Sequence, residues 1–126
     1  IKSSAASDVY KRQQEEIEAA CRMASVHEFI LSLPDGYKTR VGALGDNLSA
    51  GEKQRIGLAR AFLRGSEWIL LDEPTSNVDS INEGIILKAL QEQKRKKSIL
   101  LVSHRESTMA IADRIYRVKD GRMAEI

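Results

Sequence analysis

From Gln14 onward, apolar residues recur at helical spacing. Ile17, Ala20, Cys21 and Ala24 follow the i, i+3, i+4, i+7 rule; Val26, Phe29, Ile30 and Leu33 repeat it, and Pro34 stops it. The stretch from Pro34 to Leu48 is turn-rich, with Asp35-Gly36, Gly42 and Gly45. A new helix is predicted to open at Ser49. Ser49 and Glu52 have the S-x-x-E spacing in which each side chain satisfies the other's backbone N–H. Ile56, Ala59 and Leu63 mark its buried face, and Gly65 its end.

Two short apolar runs follow, Trp68 to Leu71 (WILL) and Ile99 to Val102 (ILLV). Each reads as a strand buried on both faces. Between them a helix is predicted from Ser80, with a second capping box to Glu83. It ends in Lys94-Arg95-Lys96-Lys97, cations that the helix dipole favours at a solvated end. A third box, Ser103 to Glu106, opens a short helix, and Asp120-Gly121 between Ile115–Val118 and Met123–Ile126 signals a hairpin. Strand, helix, strand implies parallel pairing of 68–72 with 99–103. Ligands of such sheets bind outside the carboxyl ends of the strands. Asp72-Glu73 and Ser103-His104 both fall on that edge, so the pattern is an α/β fold with an acidic sheet edge.

Composition narrows the classes. The 126 residues suffice for one small domain, and 42% apolar content allows a core. No apolar run approaches the roughly 20 residues of a membrane span. Cys21 is alone, which excludes a disulfide framework within the chain and suits a reducing compartment. With 5% aromatics and a net charge of +2, no nucleic-acid partner is expected. The whole positive excess lies in residues 1–12. The stretch Ile1 to Gln13 (IKSSAASDVYKRQ) lacks a clear period and resembles translated adapter sequence. Residues 1–13 are therefore expected to be a non-native or disordered tail, with a native flexible linker as the alternative.

Three groups carry chemistry. At Asp72-Glu73, one carboxylate can hold a Mg²⁺, largely through water, and the other can orient and deprotonate an attacking water. Alone, such a pair is equally a strand ending in a polar loop. His104 ends the next strand, where an imidazole can hydrogen-bond a terminal phosphate oxygen. Leu48 to Arg55 (LSAGEKQR) caps a helix with a serine and keeps glycine in its first turn, leaving backbone N–H groups accessible to phosphate.

LSAGEKQRIGLARAF, then WILLDEPTSNVD, then LLVSHR resemble the ATP-binding cassette (ABC) ATPase family. Leu48 to Glu52 is similar to its signature motif, Trp68 to Glu73 to its Walker B, Ser76 to Asp79 to its D-loop and His104 to its switch histidine. The resemblance covers nearly everything after the tail. It implies a partial P-loop NTPase (RecA-like) parallel sheet in 66–126, with part of the α-helical subdomain and the signature helix in 14–65. It implies that Glu73 polarises water, Asp72 organises Mg²⁺ and His104 contacts the γ-phosphate. Ser49, Ala50, Gly51 and Glu52 would reach an ATP held by a second ABC domain in a head-to-tail dimer, and Asp79 would cross the same interface.

The family usually reads L-S-G-G-Q; here Ala50 and Glu52 stand at the third and fifth positions. Glu52 favours the helix cap but sets a negative charge where a phosphate should lie. No G-x-x-x-x-G-K-[ST] occurs in the 126 residues, so this stretch alone is expected neither to bind ATP tightly nor to hydrolyse it. A sheet without its neighbouring strands should expose an edge and apolar faces, making the isolated chain aggregation-prone.

The segment LPDGYKTRVGALGDNLS resembles cassettes of exporters, which are fused to or paired with a transmembrane domain at the cytoplasmic face of the plasma membrane. Thr39, Val41, Gly42 and Gly45 fit the T-x-V-G-E-x-G stretch, and Ala43 replaces its glutamate. The run from Cys21 to Ala61 looks most like bacterial thiol-reductant exporters. The alternatives are an ABC ATPase of a chromosome-maintenance or DNA-repair machine, a non-catalytic subunit, and a pure interaction module. The short interval from signature to Walker B and the D-E-P-T at 72–75 favour the exporter.

Overall fold

The computed structural model describes residues 4–40, 42 and 48–126. Helix α1 spans Ser4–Met23. The stretch set aside as a tail is thus helical from Ser4, where no proline or glycine interrupts residues 4–23. The helix ends in a Schellman turn. The Val26 N–H donates to the Cys21 carbonyl at 2.9 Å and that of Ser25 to Arg22 at 3.0 Å, with Ser25 at φ +57°. Cys21 and Val26, the two ends of that turn, enter the core together.

Helix α2 (His27–Ser32) follows and closes at Leu33, whose extended backbone (φ −75°, ψ 146°) is what a residue before proline prefers. A single 3₁₀ turn, Gly36–Lys38, then places the Tyr37 hydroxyl 2.6 Å from Nδ1 of the buried His27. Burial raises the pKa of both the Cys21 thiol and the Tyr37 phenol, so Cys21 behaves as an inert core residue. Val41, Ala43 and Gly45, which the sequence aligns with an exporter motif, lie outside the described residues.

Helix α3 (Ala50–Leu63) begins at the predicted cap and ends before Gly65, which takes φ +68°. Its buried face is Leu58, Ala59 and Phe62; Ile56 is half-buried and Leu63 is exposed. Strands β1 (Trp68–Asp72) and β2 (Ser98–Val102) pair in parallel with Trp68 opposite Ser98, one residue off the predicted partner span. Helix α4 (Ser80–Gln93) connects them. Lys94 and Lys97 at its end do not simply point into solvent. Lys94 reaches the Ile111 carbonyl and Asp113, and Lys97 reaches the Ser66 carbonyl. A short helix α5 (Glu106–Met109) leads to the hairpin β3 (Tyr116–Lys119) and β4 (Arg122–Glu125). Asp120 and Gly121 at φ +51° and +72° supply its two-residue turn.

One core joins Ala20, Cys21, Ala24 and Val26 to Leu58, Ala59, Phe62, Ile69, Ile86 and Leu90. Among the described residues, only one face of the β1–β2 sheet meets it. Ile69 is buried and Leu71, Ile99 and Leu101 pack against the core, whereas Trp68, Leu70, Leu100 and Val102 are exposed on the other face. The strands expected to be buried on both faces are covered on one. Among the described residues, no helix is long and apolar enough to cross a membrane.

Candidate functional site

The polar ends of β1 and β2 meet as the topology requires. The last rung pairs Asp72 with Val102, and the Glu73 N–H donates to the Val102 carbonyl at 2.8 Å. Glu73 then leaves the strand at φ +49°, a left-handed conformation costing a non-glycine residue about 1–3 kcal/mol. Asp72 lies in the exposed alternation of the strand, and Glu73 turns toward the neighbouring loop instead. His104 Nδ1 lies 2.7 Å from Glu73 Oε1. Glu73 Oε2 is buried and without a hydrogen-bond partner among the described residues. One carboxylate oxygen is thus held by an imidazole, and the other is shielded from solvent. With Nδ1–H donated to Glu73, Nε2 of a neutral ring is an acceptor. It becomes a donor toward a phosphate oxygen only when the ring is cationic.

The three predicted capping boxes divide. At Ser49 the box is complete: Ser49 Oγ accepts from the Glu52 N–H at 3.1 Å, and Glu52 Oε2 accepts from the Ser49 N–H at 2.8 Å. At α4 the cap is Asp79, not Ser80. Asp79 Oδ1 accepts from the Asn82 N–H at 2.7 Å, because Ser80 already has helical geometry and Asp79 stands three residues before an available donor. That bond, followed by the Asn82 amide, lowers the Asp79 pKa below its ordinary value. The cap is therefore intact above the ordinary carboxylate range and is lost as pH falls through the lowered value. At α5 no side chain caps the helix; Arg105 occupies the cap position, and Ser103 Oγ accepts from the Arg105 N–H.

Three contacts had no motif to announce them. Arg105 pairs with Glu83 of α4, tying the residue beside His104 to the helix that Asp79 opens. Arg55 donates from Nε to the Gly51 carbonyl at 3.3 Å and from Nη1 to the Ser25 carbonyl at 2.8 Å, linking α3 to the turn after α1. Asn82 packs against Gly51. Long-range partners of this kind leave no local spacing in a sequence. The first turns of α3 and α4 thus lie together, bringing Gly51 near Asp79, while Glu73 and His104 form a second centre at the strand ends.

The family model described as ABC transporter matches residues 3–76, more than half of the chain. The chain belongs to the ABC transporter family. This ABC chain is 61% identical over 110 residues to a Haemophilus influenzae protein described as "Probable ABC transporter ATP-binding/permease protein". That match covers 87% of the chain and 20% of the relative. The chain is 44% identical over 113 residues to multidrug resistance protein pgp-1 of Caenorhabditis elegans, covering 90% of the chain and 9% of that protein. A solved structure of a bacterial Atm1-family ABC exporter with ATP bound matches with a TM-score of 0.76 at 38% identity, over 88% of this chain and 20% of that one. The ABC chain therefore spans a fifth or less of these relatives, and what it carries is sequence of the ATP-binding domain of the exporter type.

Proposed function

We propose that the complete protein is an ABC exporter that hydrolyses ATP at composite sites, and that this chain supplies the water-activating half of one site and the signature half of the other. The Glu73–His104 pair at the carboxyl edge of a parallel sheet carries the reading. Glu73 takes the proton of the attacking water, while His104 holds Oε1 and faces the terminal phosphate through Nε2. Ser49, Ala50, Gly51 and Glu52 at the start of α3, with Asp79, face the ATP of a second ABC domain docked head to tail. The phosphate cradle and the cover for Trp68 and Leu70 come from sequence of the domain outside these residues. The transmembrane domain of the same or another chain is the other partner, which places the ATPase at the cytoplasmic face of the plasma membrane. The described residues hold no cluster of three or more side chains able to cage a metal. A single exposed Asp72 fits Mg²⁺, which keeps its waters and takes one or two carboxylates plus phosphate oxygens. Bound there, the ion supplies charge neutralisation of the phosphates. The test is release of inorganic phosphate from ATP by the complete protein in vesicles. Turnover that requires the second domain supports the reading, and a folded protein that releases none refutes it.

Glu52 offers a second, smaller prediction. Its carboxylate is turned back onto the Ser49 N–H, at the helix end where the partner's phosphate is to sit. Glu52→Gln keeps an acceptor for that N–H and removes the charge. A unit charge at a helix terminus is worth 0.3–1 kcal/mol, so KM for ATP should fall about two- to fivefold. An unchanged ATP titration would show that the charge at 52 is not felt by the nucleotide.

A further inference from the structure

At the start of α3 and α4, the Asn82 side chain packs directly against Gly51. Gly51 is buried in the first turn of α3, and a Cβ there would lie 2.7 Å from Asn82 Cβ and closer still to its carboxamide. That is well inside van der Waals contact with the root of a side chain, which cannot swing away as a flexible tip would. The other end of Asn82 is also fixed. Its amide donates to both carboxylate oxygens of Asp79, at 3.0 and 3.1 Å, while its backbone N–H holds Oδ1. Arg55 closes the arrangement from the α3 side by donating to the Gly51 carbonyl. Neither Gly42, Gly57 nor Gly84 shows such contact; a Cβ at each would meet open space.

We infer that Asn82 is a positioning residue, a wedge that fixes Asp79 against Gly51 so that the first turn of α3 and the α4 cap face the partner's nucleotide as one rigid unit. This rests on the functional reading above, in which both groups face that nucleotide. The glycine at 51 is then required by a contact within the chain, besides any close approach of phosphate. Residues 51 and 82 form a complementary pair: a larger side chain at 51 demands a smaller one at 82.

The experiment is a double-mutant cycle in the complete transporter, reading kcat and KM for ATP hydrolysis alongside the thermal unfolding midpoint. Gly51→Ala should lower kcat at least about tenfold, because the inserted methyl group forces α3 and α4 apart. Asn82→Ala should lower kcat about tenfold at nearly unchanged KM, with the unfolding midpoint within a few degrees of wild type, since the backbone cap from Asp79 survives. The double variant Gly51→Ala/Asn82→Gly, which also removes the Asn82 Cβ, should recover to within about threefold of Asn82→Gly alone, whereas Gly51→Ala/Asn82→Ala, which keeps that Cβ 2.7 Å away, should stay as slow as Gly51→Ala. Asn82→Asp keeps the shape but sets a carboxylate against that of Asp79, and should lower kcat without lowering the midpoint comparably. Additive effects at 51 and 82, or an Asn82→Ala enzyme with wild-type kcat, would overturn the inference. A folded wild type that releases no phosphate would instead overturn the functional reading on which it rests.

Discussion

Glu73→Gln in the complete transporter is expected to cut ATP turnover by about 10²–10⁴-fold, the range that a positioned general base contributes. The substitution is well matched to the geometry. Glutamine fits the same space, its carbonyl can still accept from His104 Nδ1, and the left-handed backbone at 73 is no harder for glutamine than for glutamate. The capacity to take a proton is lost, because an amide is far less basic than a carboxylate. ATP binding should persist, with KM within about threefold. Single-turnover phosphate release separates the two, because bound ATP should remain unhydrolysed through many wild-type turnovers. A rate within threefold of wild type would remove Glu73 from the base role and leave its 2.7 Å contact with His104 as a structural latch.

How much of this was legible beforehand depended on whether the cause was local. Ser49 with Glu52, Asp120 with Gly121, and the WILL and ILLV runs each specify structure within a few residues, and each forms within one residue of where it was expected, though the strands are covered on one face only. The parallel sheet followed from element order, and with it the meeting of Asp72-Glu73 with Ser103-His104. The Ser80–Glu83 spacing misled because Asp79 is a better-placed acceptor one residue earlier. The Ser103–Glu106 spacing misled because the serine hydroxyl is bound to the nearer Arg105 N–H. The 1–13 stretch lacked apolar periodicity, yet periodicity reports a buried face and not helicity itself; Ala, Lys, Arg and Gln sustain a helix without one. Asn82 and the Glu83–Arg105 pair were invisible for a different reason. Their meaning depends on which helix lies across from them, and only the fold supplies that.

Leu90→Ala is expected to destabilise the ATP-binding domain by about 2–5 kcal/mol. Leu90 is 1% exposed, in the cluster where α1, α3, β1 and α4 converge. Ile86, Ile69 and Phe62, in α4, β1 and α3, belong to the same buried cluster. Denaturant unfolding of the domain should show the midpoint falling at nearly constant slope. The comparison that gives the measurement its reach is Leu70→Ala. Leu70 is 73% exposed here, so by contacts within this chain its truncation should cost almost nothing. Its strand is nevertheless apolar at both alternations, the composition of a strand covered on both faces. If the rest of the domain packs onto Trp68, Leu70, Leu100 and Val102, Leu70→Ala in the complete domain should approach the cost of Leu90→Ala. If it stays near zero there, that face is free in the assembled domain, and the proposal that the rest of the domain covers Trp68 and Leu70 fails.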